Sequence, residues 1–117
     1  MPNYTPSFEL SSINMKYRIK YLPEAEQDLD NLVDYLADEC SAYDAAVNLL
    51  NEIDQRIMHL EDFPYAHPLY MAPMRLPTEL RYLPIKSHIV FYTVLEPAHV
   101  VEIRRVLHAK RNIATLM

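Results

Sequence analysis

The sequence predicts an α+β domain of order β-α-α-β-β-β, an antiparallel sheet with a two-helix hairpin packed on one face. Three observations predict it. An alternating apolar and basic run opens the folded part, two stretches of helical period follow almost without a break, and three short strand-like runs joined by tight links complete it.

The opening run is Met15 to Leu22, where Met15, Tyr17, Ile19 and Tyr21 alternate with Lys16, Arg18 and Lys20. A period of two marks a half-buried strand, and its polar side is wholly basic. Pro23 suits the first position of a helix, where its missing donor costs nothing. Ala25, Leu29, Leu32, Val33 and Leu36 form an apolar stripe, with Glu24, Glu26 and Asp28 early in the helix, where its dipole favours negative charge. The helix is expected to stop near Glu39. Ser41 is a good N-cap for the next one, whose stripe is Ala46, Leu49, Leu50, Ile53, Ile57 and Leu60, ending before Pro64. So short a link makes the two helices an antiparallel hairpin.

Prolines at 64, 68, 73 and 77 mark a loop. The strand-like runs then cover Leu80 to Ile85, Ile89 to Leu95 and Val100 to Leu107. Lys86 to His88 joins the first two. Glu96 to His99 joins the last two, with Pro97 at the second position of a tight turn. Such short links imply antiparallel neighbours.

The 117 residues suit one domain, expected at 15–117, with residues 1–14 an appended, flexible arm. That arm lacks the basic start and apolar stretch of a secretion signal, and no apolar run is long enough to span a bilayer, so the expected location is the cytoplasm. The single cysteine, Cys40, rules out an internal disulfide and a C-x-x-C metal or redox pair. Glycine is absent, which excludes a P-loop and a dinucleotide fingerprint and leaves turns to Pro, Asn, Asp, Ser and His. The five histidines show no i, i+4 pair. Neither a cofactor nor a metal is expected.

The net charge of −5 is unevenly spread. Residues 15–63 hold twelve acidic and four basic side chains, and residues 64–117 hold three acidic and seven basic. With acid on the helices and base on the strands and tail, the sheet face away from the hairpin is the expected working surface.

Blocks in this order resemble the RelE/ParE toxin superfamily from about Met15 to Asn112. They are MKYRIKYLPEAEQDLDNLVDYL, then Leu60-Glu61-Asp62-Phe63-Pro64, Leu80-Arg81-Tyr82-Leu83-Pro84, Ile89 to Val94, and Val101 to Asn112. The resemblance implies the toxin of a type II toxin–antitoxin pair. Its partner would be a small antitoxin covering the working surface, in a homodimer or a toxin–antitoxin hetero-oligomer. One branch cleaves mRNA on the ribosome, another poisons DNA gyrase, and other members have lost obvious toxicity.

RNA cleavage by the 2′-hydroxyl needs a base, a phosphate-stabilising cation and an acid. Arg81 matches the family's central strand arginine, and His108 sits near a catalytic histidine of some members. In that branch Arg81 and His108 would be catalytic. Ala109 stands where some members carry a tyrosine, and the chain is acidic although ribosome-binding toxins profit from strong positive charge. The run RVLHAKRN, with the strand of Tyr92, looks more like the ParE or plasmid-stabilisation branch, whose surface docks onto a protein. Arg81, Arg105, His108, Lys110 and Arg111 are then the candidate partner- and target-binding residues. The alternative for Arg105 is a structural ion pair with an acidic helix residue. A non-toxic module that accepts a strand at its sheet edge is the remaining reading.

Overall fold

The computed structural model describes residues 16–39, 43–71 and 79–110. The expected extension 1–14, the Ser41 cap, Cys40 and Arg111 lie outside them. In order come β1 (Arg18–Tyr21), α1 (Pro23–Glu39), α2 (Tyr43–Met58), a 3-10 turn (His59–Glu61), β2 (Arg81–Ile85), β3 (His88–Leu95) and β4 (Val100–His108).

The sheet order is β1-β4-β3-β2. β2, β3 and β4 are antiparallel neighbours, as their short links require, but β1 runs parallel to β4, so the sheet is mixed and not wholly antiparallel. The reason lies in the hairpin. α2 returns the chain to the level where β1 began, since Tyr17 N–H donates to Glu61 C=O at 2.9 Å. β2 therefore starts with the sense of β1, and two tight turns restore that sense in β4. Arg18 N–H donates to His99 C=O and Leu22 N–H to Ile103 C=O, which locks β1 beside β4.

Both helices cover the same face. Ala25 and Leu32 of α1, Ile53 and Ile57 of α2, and Leu60 pack on Leu83, Ile85, Val90, Tyr92, Val101, Ile103 and Val106. Val33, expected in the α1 stripe, is 45% exposed. It sits one residue, or about 100°, past Leu32, beyond the contact with sheet and α2. The other face carries a smaller apolar cluster, Leu80, Phe91 and Leu107, with Tyr70, Tyr82 and Ile89 against it. Part of the loop lies along the β2 edge here: Tyr70 N–H donates to Leu80 C=O and Tyr82 N–H to Pro68 C=O. That side is therefore not the open basic face the charge pattern led one to expect. Its cations lie towards β1: exposed Arg18 and Lys20 alternate with the core-facing Ile19 and Tyr21, and Arg104 of β4 binds Glu102, the residue opposite Lys20.

β1 reaches only Tyr21, opposite Ile103, whereas β4 continues to His108. A bulge follows: Tyr92 faces Ile103 but Phe91 faces Arg105, leaving Arg104 as the extra residue. Beyond it, α1 takes the place of the missing strand. The Asp28 carboxylate accepts Val106 N–H at 2.9 Å and both Nε and Nη2 of Arg105, at 2.8 and 3.0 Å. These side chains are 10% and 21% exposed. Truncating one partner of so buried a pair strands the other charge. Asp28→Ala should lower unfolding free energy by about 3 kcal/mol, read from urea melts. A loss below about 1 kcal/mol would mean the pair behaves as a surface one.

Candidate functional site

Arg81 opens β2 opposite Tyr92, so it stands on the hairpin side of the sheet. It is bound to the loop. Nη1 donates to His67 C=O at 2.7 Å, and the guanidinium lies 5.0 Å from the Tyr65 ring centroid. Tyr92 holds the same loop, its hydroxyl donating to Pro64 C=O at 2.8 Å. Burial pushes the Tyr92 phenol up to about 12, so its proton stays in place as the donor. The L-x-x-F-P block is thus a docking element: Leu60 and Pro64 are buried while Phe63 is 63% exposed.

Beside this loop lies a cluster that sequence reasoning missed. Glu96, in the β3–β4 turn, accepts hydrogen bonds from the hydroxyls of Tyr17 and Tyr65, the latter at 2.8 Å. His99 stacks on Tyr17 with ring centroids 3.7 Å apart and puts Nδ1 3.5 Å from Glu96. The Tyr17 and then the Tyr65 hydroxyl hold Glu96 below the usual carboxylate range. The same bonds, led by that to Glu96, raise both phenols. Tyr17 and Glu96 are 79 residues apart, and no local pattern announces their meeting.

His108 ends β4 directly opposite His88, with ring centroids 5.1 Å apart. Lys110 N–H donates to His108 Nδ1 at 3.1 Å, and Ser87 Oγ meets His88 Nδ1 at 3.0 Å. The pair lines a cavity of about 540 Å³, walled by Asp28, Leu32, Tyr35 and Leu36 of α1 and Leu49 of α2. Burial, and then the neighbouring His108, lowers the His88 pKa.

The four described candidates, Arg81, Arg105, His108 and Lys110, are therefore not gathered in one cluster, contrary to expectation. Arg81 faces Tyr92 and His108 faces His88, four residues along β3, a separation of about 13 Å. Arg105 lies between them but turns to Asp28 on α1. Only His108 and Lys110 are neighbours, and Arg111 is outside the described residues. Arg81 and His108 share the hairpin side but lie towards opposite ends of β3, and Arg105 follows the bulge in β4. Among the described residues, no three His, Cys, Asp or Glu side chains gather in a way that would hold a metal ion. No described helix is long and apolar enough to cross a membrane.

Fold and site together define a small α+β protein whose Arg81 and Arg105 are tied into its own frame. Residues 19–113 match the family described as the ParE toxin of the type II toxin–antitoxin system parDE, and the chain belongs to that family. It thereby falls in the RelE/ParE superfamily that the sequence resembles. Among solved structures it is similar to a chain of the chromosomal ParDE toxin–antitoxin system from P. aeruginosa. The identity is 17%, the TM-score 0.61, and the likeness covers 81% of this chain and 98% of that one. No curated protein matches the chain.

The histidine environments set a pH dependence. His88 and His67 both have pKa values lowered from about 6.5, chiefly by burial. The unfolded chain then binds more protons than the folded one below the ordinary value, so stability is fully present above it and lost as pH falls through it. Urea midpoints should drop between about pH 7.5 and 5.5, above the carboxylate range, and the drop should be smaller in His88→Gln. Parallel curves for the two proteins would remove His88 from the account.

Proposed function

We propose that this toxin-family protein arrests growth in the ParE manner, by docking onto a protein target such as DNA gyrase, and that a cognate antitoxin neutralises it. The observation that carries the reading is the dispersal of its cations. A base, an acid and a phosphate-binding cation must all reach one phosphodiester within hydrogen-bond range. Arg81 and His108 stand about 13 Å apart along the sheet, and Arg105 is bonded to Asp28. Docking needs no such convergence. It needs exposed anchors on a rigid frame, and Phe63, Tyr65 and Met71 are each more than half exposed along one loop.

The RelE-like alternative is an mRNA endoribonuclease working through Arg81 and His108, and the third reading is a non-toxic interaction module. Two assays separate them. Inducing the chain in bacteria should stop growth, and co-expressing the protein encoded beside it should restore growth; growth unaffected by induction would favour the non-toxic module. The purified chain should block supercoiling by gyrase while leaving mRNA intact in a translating extract. Cleaved mRNA with supercoiling untouched would reverse the assignment, the more so if Arg81→Ala and His108→Ala abolish cleavage.

A further inference from the structure

The segment that bears the docking anchors is held at more points than its fold requires. Its backbone is fixed from the sheet, where Tyr92 donates to Pro64 C=O and Arg81 to His67 C=O. Pro64 itself is buried. These contacts already settle where the loop lies. Glu96 adds a different kind of hold. It is exposed in the β3–β4 turn and accepts the Tyr65 hydroxyl at 2.8 Å. An exposed phenol gains little stability from such a bond, because water serves it nearly as well. What the bond does fix is the attitude of the ring.

That ring is caught twice. The Arg81 guanidinium lies 5.0 Å from its centroid, and Glu96 holds its hydroxyl. Glu96 is held in turn. Tyr17 of β1 donates to the same carboxylate oxygen, and His99 puts Nδ1 3.5 Å from the other one. Tyr17 stacks on His99 at 3.7 Å and meets Tyr65 edge-on at 6.4 Å. Strand and turn thus orient the carboxylate from behind, and the carboxylate orients the ring. Yet Tyr65 is 51% exposed, and Phe63, two residues earlier, is 63% exposed. An aromatic side chain that is open to solvent but already ordered favours binding, since its freedom is lost before the partner arrives.

We propose that Glu96 is a positioning residue for docking: through the Tyr65 hydroxyl it presents the Tyr65 ring in the attitude that the protein target receives. The assignment rests on the docking reading and names the device that readies its surface. Glu96 acts through Tyr65 and not by a contact of its own. Without the bond, one aromatic side chain must be fixed again on binding, which weakens affinity roughly threefold to tenfold.

The test uses the full chain, DNA gyrase and three variants: Glu96→Ala, Tyr65→Phe, which keeps the ring and loses the hydroxyl, and the two combined. Each single variant should bind gyrase roughly threefold to tenfold more weakly by calorimetry. The double variant should bind no more weakly than the poorer single one, because both changes remove the same bond. Urea midpoints should stay at the original value, which separates positioning from a general loss of fold. Without gyrase, ¹³C relaxation should show the Tyr65 ring ordered in the original chain and mobile in Glu96→Ala. Glu96→Gln, which keeps a neutral acceptor, should recover part of the affinity and of the ring order. Equal affinity of the original chain and the variants would overturn the proposal, as would additive losses or midpoints that fall in step with affinity. So would a Tyr65 ring as ordered in Glu96→Ala as in the original chain. An original chain that fails to bind gyrase ends the docking reading and this assignment with it, whereas the ring order of the free chain reports on the Glu96 bond alone.

Discussion

One carboxylate organises this molecule. Asp28 lies one and a half turns into α1, yet it accepts the Val106 amide and both arms of Arg105 on β4. Taking two charges out of water costs several kcal/mol each, and only well-aligned charge-assisted bonds offset that. The demand for the clamp comes from the unequal strands. β1 has four residues and β4 nine, so β4 would otherwise present unpaired backbone along its outer edge, a template for aggregation. A helix cannot continue a strand ladder, but one carboxylate can meet one edge amide. The bulge before it turns Arg105 towards the same carboxylate. The lie of α1 over the sheet is fixed there, and α2 follows from α1.

The far end of the sheet is held differently, by loop carbonyls and a shared surface carboxylate. Both ends depend on turns made without glycine. Lys86 and His99 take positive φ values of 54° and 62°, a region that costs a residue with a Cβ roughly 1 kcal/mol. The Lys86 turn sets His88 opposite His108, and the His99 turn sets Glu96 against Tyr17 and Tyr65. The two clusters of titratable side chains are thus products of the two hairpins.

Periodicity made much of this legible. The β1 alternation, the two helix stripes apart from Val33, the hairpin and the three closing strands all follow from local patterning that the structure keeps. The parallel pairing of β1 was not legible, because it depends on where α2 returns the chain and not on any property of β1 itself. Arg81 was chosen by resemblance, but its face depends on β2 register, and that register aligns it with Tyr92 on the hairpin side. For Arg105 the sequence left two roles open, and the extra residue at the bulge decided for the ion pair. The histidine pair was overlooked because a search for i, i+4 spacing finds helical neighbours, while these two meet across a strand ladder twenty residues apart.

The use made of two strand arginines bears on the choice between docking and chemistry. An arginine that stabilises a strained phosphate must keep its donors available until substrate arrives, held by neighbours that do not saturate them. Here the Arg105 fork lies on a carboxylate, and Arg81 gives Nη1 to a carbonyl while its plane rests over Tyr65. Replacing such partners with RNA would trade charge-assisted bonds already made for new ones, and would loosen the hairpin or the loop in the process. A frame stiffened at these points suits a surface that must keep its shape against a protein. The described strand cations that stay exposed, Arg18 and Lys20, lie on β1 and face away from the hairpin side that holds Arg81 and His108, so they do not complete a cleavage site with them.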